Sequence, residues 1–411
     1  MTQLKKRKLD STNSSINRKS LDFDFEKTCS VTLSSNNINC CLGCGKFFQG
    51  NSTSSPAYKH SISSGHSKFL NLATYKLYTL PENIVSEDNS SIEDVIQYLN
   101  PEYTSVEALP EFSYDLNQDK YLVGYVGLNN LNSNSYINVV LQCLAHIIPI
   151  RDFYLFLPKH IQYNTIQKKS PINDKFGLLI RKIWSKYLFK SHIAPYEVLN
   201  CISEISNKKF TIELEQSPKV FLIWFINTLH SQLGKSLTSK STPISLNLQG
   251  KIEITTIPII SQEVKSRVEF TTIESKSKIT HTKFWLLSLD IPHNPLLTST
   301  TQLDKIEEIS LEDLLLKYNG TTQTQINSNE VRTYQLLEPL PPYLIISFEK
   351  SSTSSTVVKF PQVLSMKKYI KSGKDIQYKL VFTIKKTNNN QWSISMQRER
   401  GNDWSGVVIS R

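Results

Sequence analysis

Apolar residues recur at intervals of three and four positions in the middle of the chain. This spacing places them on one face of a helix. It predicts a helix that starts near Ser135 and buries the stripe Ile137, Val140, Leu141 and Leu144. The same spacing predicts a second helix over residues 176–188. A third helix is predicted to begin at Ser217 and Pro218, with serine as the N-cap and proline at the first helical position.

Beyond Gly250 the pattern changes to short runs rich in β-branched and aromatic residues, which are typical of strands. We predict one short helix over residues 311–318 and strands over residues 251–260, 267–273, 283–291, 343–349, 378–386, 392–397 and 406–410. Helices that come first and strands that follow indicate an α+β domain rather than a repeated β–α–β fold.

The chain before these elements divides into a tail, a compact segment and a linker. Residues 1–20 contain too few apolar side chains to fold and are predicted to be a disordered basic tail. Residues 21–103 form the compact segment. Its last helix has Ser90 and Ser91 as N-cap candidates, followed by acidic residues in the first turn. Residues 104–120 are predicted to link this segment to one long region, residues 121–411.

Positive charge is concentrated at the start of the chain. The 411 residues carry a formal net charge of +11, and the first twenty supply +5 through six cations and one aspartate. The positive charge of this tail has two possible explanations. The tail is a solvated terminus, or Lys5, Lys6, Arg7 and Lys8 form a nuclear import signal. We favour the import signal and therefore expect a nuclear protein.

Other function classes are disfavoured by composition. No apolar run approaches the ~20 residues of a membrane-spanning helix, and the N-terminus has no secretory signal. We therefore expect a soluble intracellular protein without a membrane partner. The net charge of +6 beyond residue 20 does not by itself indicate a nucleic-acid-binding groove, which needs cations clustered on one face.

Two cysteines and two histidines have the spacing of a zinc site: Cys41, Cys44, His60 and His66. Two thiolates at ~2.3 Å and two imidazoles at ~2.0–2.1 Å would complete a tetrahedron around Zn²⁺. Because four protein ligands close the coordination sphere, we predict one structural zinc ion. The alternative is a pair of core cysteines with two surface histidines. Cys29 is an alternative candidate for one of the zinc ligands. Cys40 fits the ligand spacing less well than its neighbour Cys41.

The segments CLGCGKFFQG and AYKHSISSGH around these ligands resemble the zinc-finger ubiquitin-binding domain that accompanies many ubiquitin-specific proteases. In that family an arginine after the Cys-Gly pair receives the C-terminal carboxylate of ubiquitin. Lys46 stands at this position and lacks the bidentate guanidinium fork. A histidine found in many members is replaced by Pro56. These departures argue against binding of the ubiquitin tail.

The region from Gly124 onward resembles the ubiquitin-specific proteases themselves. Residues 127–156 resemble their Cys box, with matches at Gly127, Leu128, Asn130, Leu131, Tyr136, Asn138, Leu141 and Gln142. The resemblance continues through residues 221–233, 283–292, 340–350, 359–361 and 378–384. It implies a papain-like domain with palm, thumb and fingers after the zinc finger. The Cys pairs that hold a zinc in the fingers of many members are missing, so no second zinc is expected.

The catalytic positions of the family are degenerate in this sequence. Ser135 replaces the nucleophilic cysteine, Ser133 replaces the asparagine that stabilises the oxyanion, and Gln391 replaces the general base histidine. The catalytic triad of the family also includes an acid, and Asp403 is a candidate close after Gln391 in the sequence. A hydroxyl attacks only when a base takes its proton, and glutamine cannot do so. We therefore expect a pseudoenzyme in which Ser135 serves as the N-cap of its helix.

The zinc finger, the degenerate protease domain and the nuclear signal together resemble the splicing-associated, inactive subgroup of the family. The phrases LDFDFEK, CGKFFQG, GLNNLNSN and HIAPYEVL carry this resemblance. It implies a scaffold for pre-mRNA splicing that assembles or maintains the U4/U6-U5 tri-snRNP by docking on snRNP proteins, and through them on snRNA. Two alternatives stay open: a non-catalytic reader of ubiquitin or a ubiquitin-like protein, and a residual ubiquitin hydrolase that uses Ser135.

Overall fold

The structure is a computed structural model that describes most of the chain. The described residues are 15–105, 109–264, 267–272, 276–291, 308–327, 329–350, 356–387, 389–398 and 404–405. The predicted import signal, Asp403 and the predicted strand over residues 406–410 lie outside these ranges. Within them, no helix is both long and apolar enough to cross a membrane.

The described residues fall into two compact units. The first contains the chain up to Phe221 together with Ile384–Ser395, and the second contains Leu222–Thr383 and Met396–Ser405. The long helix Pro218–Leu237 crosses from one unit to the other.

The first unit begins with a small antiparallel sheet flanked by two helices. Its elements are β1 (Ile38–Cys41), β2 (Phe47–Gln49), α1 (Pro56–Ser64), β3 (Lys68–Asn71), β4 (Leu77–Thr79), β5 (Ile84–Ser86) and α2 (Glu93–Leu99). The strands lie in the order β2-β1-β3-β4-β5. Cys41, Phe48, Ala57, Phe69 and Leu80 form the buried core between the sheet and α1.

The start of α2 differs from the prediction. Its N-cap is Ile92, while Ser90 and Ser91 lie in a preceding 3-10 turn, Ser90–Ile92, so the predicted serine caps are wrong. The physical reason is local competition, because Asp88 accepts hydrogen bonds from both the backbone N–H and the hydroxyl of Ser90. Asp94 does lie in the first turn of α2, where it pairs with Arg18 at 2.7 Å. Arg18 belongs to the segment that was predicted as tail.

The first unit continues with two short strand pairs and a group of helices. Its further elements are β6 (Phe112–Tyr114), β7 (Lys120–Leu122), β8 (Gly127–Leu128), α3 (Ser135–Ala145), α4 (Ile148–Leu155), α5 (Tyr163–Lys169), α6 (Pro171–Ile183), β9 (His192–Ile193), α7 (Tyr196–Ile205) and the start of α8 (Pro218–Leu237). The segment predicted as a linker contains β6, which pairs with β7, and the buried Leu109 and Leu116. Helix α3 starts where the apolar stripe predicted, and all eleven of its residues are buried.

Helix α6 begins five residues earlier than predicted. Pro171 occupies its first turn. Backbone N–H groups in the first turn make no hydrogen bond within the helix, so proline, which lacks this group, fits there at no cost. The helix ends at Ile183 rather than residue 188, and the carbonyl of Ile183 accepts a hydrogen bond from Gly124 instead of continuing the helix.

Aromatic side chains join the small sheet and α2 to the helical part of the first unit. Phe23, Tyr98 and Phe189 pack together, and the rings of Tyr98 and Phe189 stack at 4.3 Å between centroids. Lys190 pairs with Asp22 at 3.0 Å and with Asp24 at 2.7 Å. The N-terminal segment is thus packed against the helices.

A charged cluster around Glu197 on α7 makes a second connection. Its carboxylate lies 2.7 Å from Nζ of Lys27, 3.4 Å from Nζ of Lys175 and 3.9 Å from Nζ of Lys182. Burial by itself would raise the pKa of Glu197, but Lys182, Lys27 and Lys175 outweigh it and hold the pKa well below its usual range. The ionised carboxylate therefore stabilises the contact between the N-terminal segment and helices α6 and α7.

The second unit is mostly strands around one core. Its elements are α9 (Pro243–Leu248), β10 (Gly250–Val264), β11 (Arg267–Thr272), β12 (Lys278–Phe284), β13 (Leu287–Asp290), β14 (Glu308–Ser310), α10 (Leu311–Leu315), β15 (Thr324–Asn327), β16 (Glu330–Leu337), β17 (Ile346–Glu349), β18 (Val357–Lys359), β19 (Val363–Ser365) and β20 (Gln377–Lys379). Strands β10, β11, β12, β15 and β16 form an antiparallel sheet. Parallel pairs β13-β17 and β14-β18, with α10, enclose a core that includes Leu289, Leu315, Leu336 and Met366.

Among the described residues, the strand predictions after Gly250 are confirmed as strands, but several of their boundaries differ. Residues 283–291 hold the end of β12 and β13, and residues 378–386 hold parts of two strands, β20 and β21 (Phe382–Lys386). The remaining strands are β22 (Trp392–Gln397) and β23 (Trp404–Ser405). The predicted short helix at residues 311–318 is α10 followed by a 3-10 turn.

We predict that Glu197→Gln weakens the first unit because three lysines lose their common counter-charge. The free energy of unfolding should fall by about 1–3 kcal/mol. The loss is limited to this range because the site is partly open to solvent, which screens the ion pairs. Glu204→Gln, an exposed change on the same helix, is the matched control. Thermal unfolding at neutral pH measures the difference, and equal melting temperatures for both variants would contradict the prediction.

The same cluster sets a pH dependence. Because the pKa of Glu197 is depressed in the folded state, its contribution is complete above the ordinary value of ~4.3 and is lost as pH falls through the lower folded pKa. As pH falls from neutral to strongly acidic, the free energy of unfolding should therefore decrease by less in Glu197→Gln than in the parent protein.

Candidate functional site

The four predicted metal ligands converge at one end of the small sheet. Cys41 ends β1, Cys44 lies in the turn that follows, His60 lies on α1 and His66 comes just after that helix. Among the described residues they form the one group of three or more Cys, His, Asp or Glu side chains with metal-site spacing, with ligand atoms all within 4.8 Å of one another. The sequence-predicted residues are therefore brought together by the fold.

Backbone geometry places these side chains. In the cysteine turn Gly45 has φ +76° and donates its N–H to the carbonyl of Cys41, and a Cβ at Gly45 would lie 2.0 Å from the carbonyl oxygen of Ser20. Only glycine fits this position. Helix α1 has Ser55 as a side-chain N-cap and ends at Gly65 in the left-handed conformation, which turns the chain toward His66.

The distances match a tetrahedral zinc site. Sγ of Cys41 lies 3.5 Å from Nδ1 of His66, Sγ of Cys44 lies 3.4 Å from Nε2 of His60, and the two histidine nitrogens are 3.2 Å apart. A tetrahedron with ordinary zinc bond lengths has edges of ~3.6 Å between sulfur and nitrogen and ~3.3 Å between two nitrogens. The donor set and its geometry fit Zn²⁺.

The surroundings orient the ligands. His60 stacks on Phe48 with 4.2 Å between ring centroids, and its Nδ1 lies 3.0 Å from the hydroxyl of Ser64, which leaves Nε2 for the metal. Burial raises the pKa of the Cys41 thiol to about 11. Burial, together with His66 and Lys46, lowers the pKa of His60. At neutral pH the metal would therefore displace a proton from Cys41 and meet a neutral imidazole.

Neither of the other two N-terminal cysteines joins this cluster. Cys40 faces the opposite side of β1, where its thiol contacts the carbonyls of Cys41 and Gly45, and burial raises its pKa. The sulfur of Cys29 instead accepts backbone hydrogen bonds from Val31, Thr32 and Gln49. Cys41 is thus the cysteine that faces the other three ligands.

The two departures in the zinc finger have visible local roles. Lys46 is exposed, and its carbonyl closes the cysteine turn by accepting the N–H of Cys41. Pro56 is the first residue of α1.

The second candidate site lies at the start of helix α3, where the motif loop is held by buried amides. Nδ2 of Asn134 donates to Oδ1 of Asn138 at 3.0 Å, Nδ2 of Asn138 donates to the carbonyl of Asn129, and Nε2 of Gln142 donates to the carbonyl of Val126. Asn138 and Gln142, which are matches to the Cys box, therefore bind the backbone of the loop and the strand before it, and Asn134 binds the side chain of Asn138.

Ser135 is the first residue of α3 and is only 1% exposed. The N-cap is Asn134, so the prediction that Ser135 caps the helix is wrong. The Ser135 hydroxyl instead lies between two partners: it donates to Oε1 of Glu215 at 3.3 Å and accepts from the backbone N–H of Trp392 at 3.1 Å. Among the described residues no histidine is hydrogen-bonded to it.

The other two degenerate positions are neighbours of Ser135. Gln391 directly precedes Trp392, and its carbonyl accepts hydrogen bonds from the backbone and hydroxyl of Thr387. Ser133 is held by a backbone hydrogen bond to Ile212. The fold thus brings together all three positions that the sequence identified.

Sequence reasoning missed Glu215. This residue lies 80 positions from Ser135 in the chain and belongs to no motif that we recognised. An ordinary carboxyl group, with a pKa of ~4.3, is a weaker base than an imidazole, with a pKa of ~6.5. The hydroxyl of Ser135 is therefore hydrogen-bonded to an acid and not, among the described residues, to an imidazole.

Comparison with known proteins agrees with the fold. The family described as ubiquitin carboxyl-terminal hydrolase matches residues 126–399, and the zinc finger of ubiquitin hydrolases and other proteins matches residues 28–91. A crystal structure of an essential yeast splicing factor superposes with a TM-score of 0.73, at 25% identity, over 95% of this chain and 91% of that chain.

Several relatives cover most of the chain. The probable mRNA-splicing protein ubp10 of Schizosaccharomyces pombe is 34% identical over 84% of this chain and 70% of its own length. Human ubiquitin carboxyl-terminal hydrolase 39 is 36% identical over 84% of this chain and 64% of its own length. The pre-mRNA-splicing factor SAD1 of Saccharomyces cerevisiae is 30% identical over 82% of this chain and 70% of its own length. The chain thus matches between 64% and 70% of the length of these relatives.

The resemblances to the zinc finger, to the ubiquitin-specific proteases and to splicing-associated members of the family are confirmed. The α+β fold class, with a zinc finger ahead of a protease-type domain, is confirmed as well. The chain belongs to the ubiquitin carboxyl-terminal hydrolase family and carries that family's zinc finger at its N-terminal end.

Proposed function

We propose that this protein is a catalytically inactive, protease-like scaffold for pre-mRNA splicing, which assembles or maintains the U4/U6-U5 tri-snRNP. The names of two relatives and of one solved structure support a role in splicing. The observation that carries the loss of catalysis is the Ser135 hydroxyl, which is held between a carboxylate and a backbone N–H.

Three chemical losses combine at this site. The family's cysteine ionises readily beside a histidine, whereas the hydroxyl of Ser135 needs a base to remove its proton. Gln391 cannot accept and return a proton. The loss of one oxyanion donor, here at Ser133, costs ~2.7–4 kcal/mol of transition-state stabilisation in enzymes that depend on it. A fold that has lost all three serves as a shaped surface.

The zinc finger contributes to this surface as a structural element. We propose that Cys41, Cys44, His60 and His66 hold one Zn²⁺, with no ligand position open to substrate. The lysine at position 46 and the proline at position 56 support a finger that has lost recognition of the ubiquitin tail.

Nuclear location and partner choice complete the proposal. Lys5, Lys6, Arg7 and Lys8 would direct import, as the splicing role requires. The partners would be proteins of the spliceosomal snRNPs, with snRNA reached through them. A non-catalytic ubiquitin reader and a residual hydrolase that uses Ser135 are the functions to be tested against it.

Metal analysis tests the zinc site. We expect one zinc per chain in the parent protein and almost none in Cys41→Ala or His60→Ala, because each variant opens the tetrahedron. Cys40→Ala, a change at the adjacent buried cysteine, is the control and should retain the metal. Zinc retained by Cys41→Ala, or absent from the parent protein, would contradict the assignment.

A fluorogenic ubiquitin substrate tests for catalysis. Neither the parent protein nor Ser135→Ala should release the fluorophore above background, because no described imidazole reaches the hydroxyl. An active ubiquitin protease serves as the positive control. Turnover by the parent protein that disappears in Ser135→Ala would establish the residual hydrolase instead. Titration with labelled ubiquitin in the same buffers distinguishes the ubiquitin reader from the scaffold. The reader requires a dissociation constant below the millimolar range.

Depletion and add-back in nuclear extract test the scaffold. Depletion of the protein should reduce the tri-snRNP peak on a gradient, and the parent protein and Ser135→Ala should restore it equally. Cys41→Ala should restore it poorly, because loss of zinc removes the support of the N-terminal sheet. A tri-snRNP peak that is unaffected by depletion would rule out this role.

A further inference from the structure

A cluster of exposed lysines lies in the second unit, on the connection between β19 and β20. Its members are Lys367, Lys368, Lys371 and Lys374 on the connection and Lys379 at the end of β20, all of them exposed. Asp375 is the one acid among residues 365–379, so this segment carries a net charge of +4. The whole chain beyond residue 20 carries +6. Most of the excess charge outside the tail is therefore concentrated here.

The fold exposes these side chains by burying the residues between them. Met366, Tyr369 and Ile370 are buried in the core of the second unit, which leaves the intervening lysines on the outer surface of the connection. In the β19–β20 pair, the exposed Lys379 stands opposite the half-exposed Val363, while the pair beside it, Leu364 and Tyr378, faces the core. We call this lysine cluster the basic ridge.

An open groove of about 600 Å³ borders the basic ridge. Its apolar wall consists of Pro339, Leu340, Pro341, Pro342, Ile376 and Tyr378, and its polar lining consists of Lys374 of the ridge together with Glu338 and Gln377. Leu340, Ile376 and Tyr378 also pack against the core, and the Tyr378 hydroxyl donates to the carbonyl of Pro341. The wall is therefore built into the fold, and ridge and groove form one continuous surface.

Much of the ridge keeps its charge available. Asp375 is engaged by the Ser365 hydroxyl at 2.6 Å and by the Gln377 amide at 3.0 Å, and Lys374 has an exposed, long contact of 3.9 Å with Glu338. Within the described part of the chain, Lys367, Lys368 and Lys371 make no ion pair of 4.0 Å or less. Exposed lysines of this kind attract an anionic partner over the range of the Debye length, ~8–10 Å at moderate salt.

We propose that the basic ridge and its groove bind an acidic segment of a partner protein, with one apolar side chain of that segment seated in the groove. The groove suits an apolar side chain better than a phosphate because its wall is made of proline, leucine, isoleucine and a tyrosine ring. This inference rests on the proposed scaffold function only in assuming that the protein acts by docking.

Fluorescence anisotropy with the full-length protein tests the inference. The probes are a short labelled peptide of Asp and Glu with a central Leu-Phe pair, the same acidic peptide without the apolar pair, and oligouridine. The ridge variant is Lys367→Glu, Lys368→Glu and Lys371→Glu combined. Its charge-matched control is Lys159→Glu, Lys168→Glu and Lys169→Glu, which reverses three exposed lysines of the first unit. Pro342→Asp places a negative charge in the groove while leaving the ridge intact.

We expect the parent protein to prefer the peptide with the apolar pair. The ridge variant should weaken its binding by at least about tenfold, Pro342→Asp by several-fold, and the control by little. Equal losses in the ridge variant and the control, or no measurable binding of either peptide, would overturn the proposal. Tighter binding of oligouridine that the ridge variant abolishes would make this an RNA-binding surface instead. If the titration fails while add-back still restores the tri-snRNP, only this surface is rejected and the scaffold function stands.

Discussion

The burial of helix α3 on every side is the constraint on which the protease-type fold depends. All eleven residues of this helix are buried, and the amides of Asn134, Asn138 and Gln142 bind the loop and strand that lead into it. Asn138 and Gln142 belong to the Cys-box motif, and their contacts hold the loop in place without the side chain of residue 135. The position of the nucleophile contributes only a small polar side chain, which is satisfied by Glu215 and Trp392. The catalytic group can therefore be lost while the motif around it persists.

The N-terminal segment depends on two further constraints. Its short sheet has a small core, and four side chains from β1, the following turn, α1 and the loop after α1 meet at a candidate zinc site. The stacked rings of Tyr98 and Phe189 and the lysines around Glu197 then attach this segment to the helices. Within this unit, loss of structure at the candidate zinc site would affect the helices, because packed aromatic side chains and ion pairs connect the two parts.

Much of this architecture could be predicted from the sequence because the relevant signals are local. Spacing identified the metal ligands, and periodicity located α3 and most strands after Gly250. The errors came from competition among neighbours, as where Asp88 binds Ser90 and moves the cap of α2 to Ile92. Long-range partners could not be predicted: Glu215 meets Ser135 across 80 residues, and Lys27 meets Glu197 across 170. The basic ridge was also missed, since only the fold shows that its lysines are exposed while the residues between them are buried.

The proposal that residue 135 has no catalytic base beside it can be tested most directly with a thiol as the reporter. In Ser135→Cys, the ultraviolet absorbance of the thiolate, measured as a difference from the parent protein, gives the pKa at that position. Burial and the facing carboxylate of Glu215 should outweigh the helix N-terminus, so the thiol should ionise at or above the ordinary value of ~8.5. A thiol that ionises below pH ~6, as cysteines paired with histidine do, would show that the site retains a catalytic base.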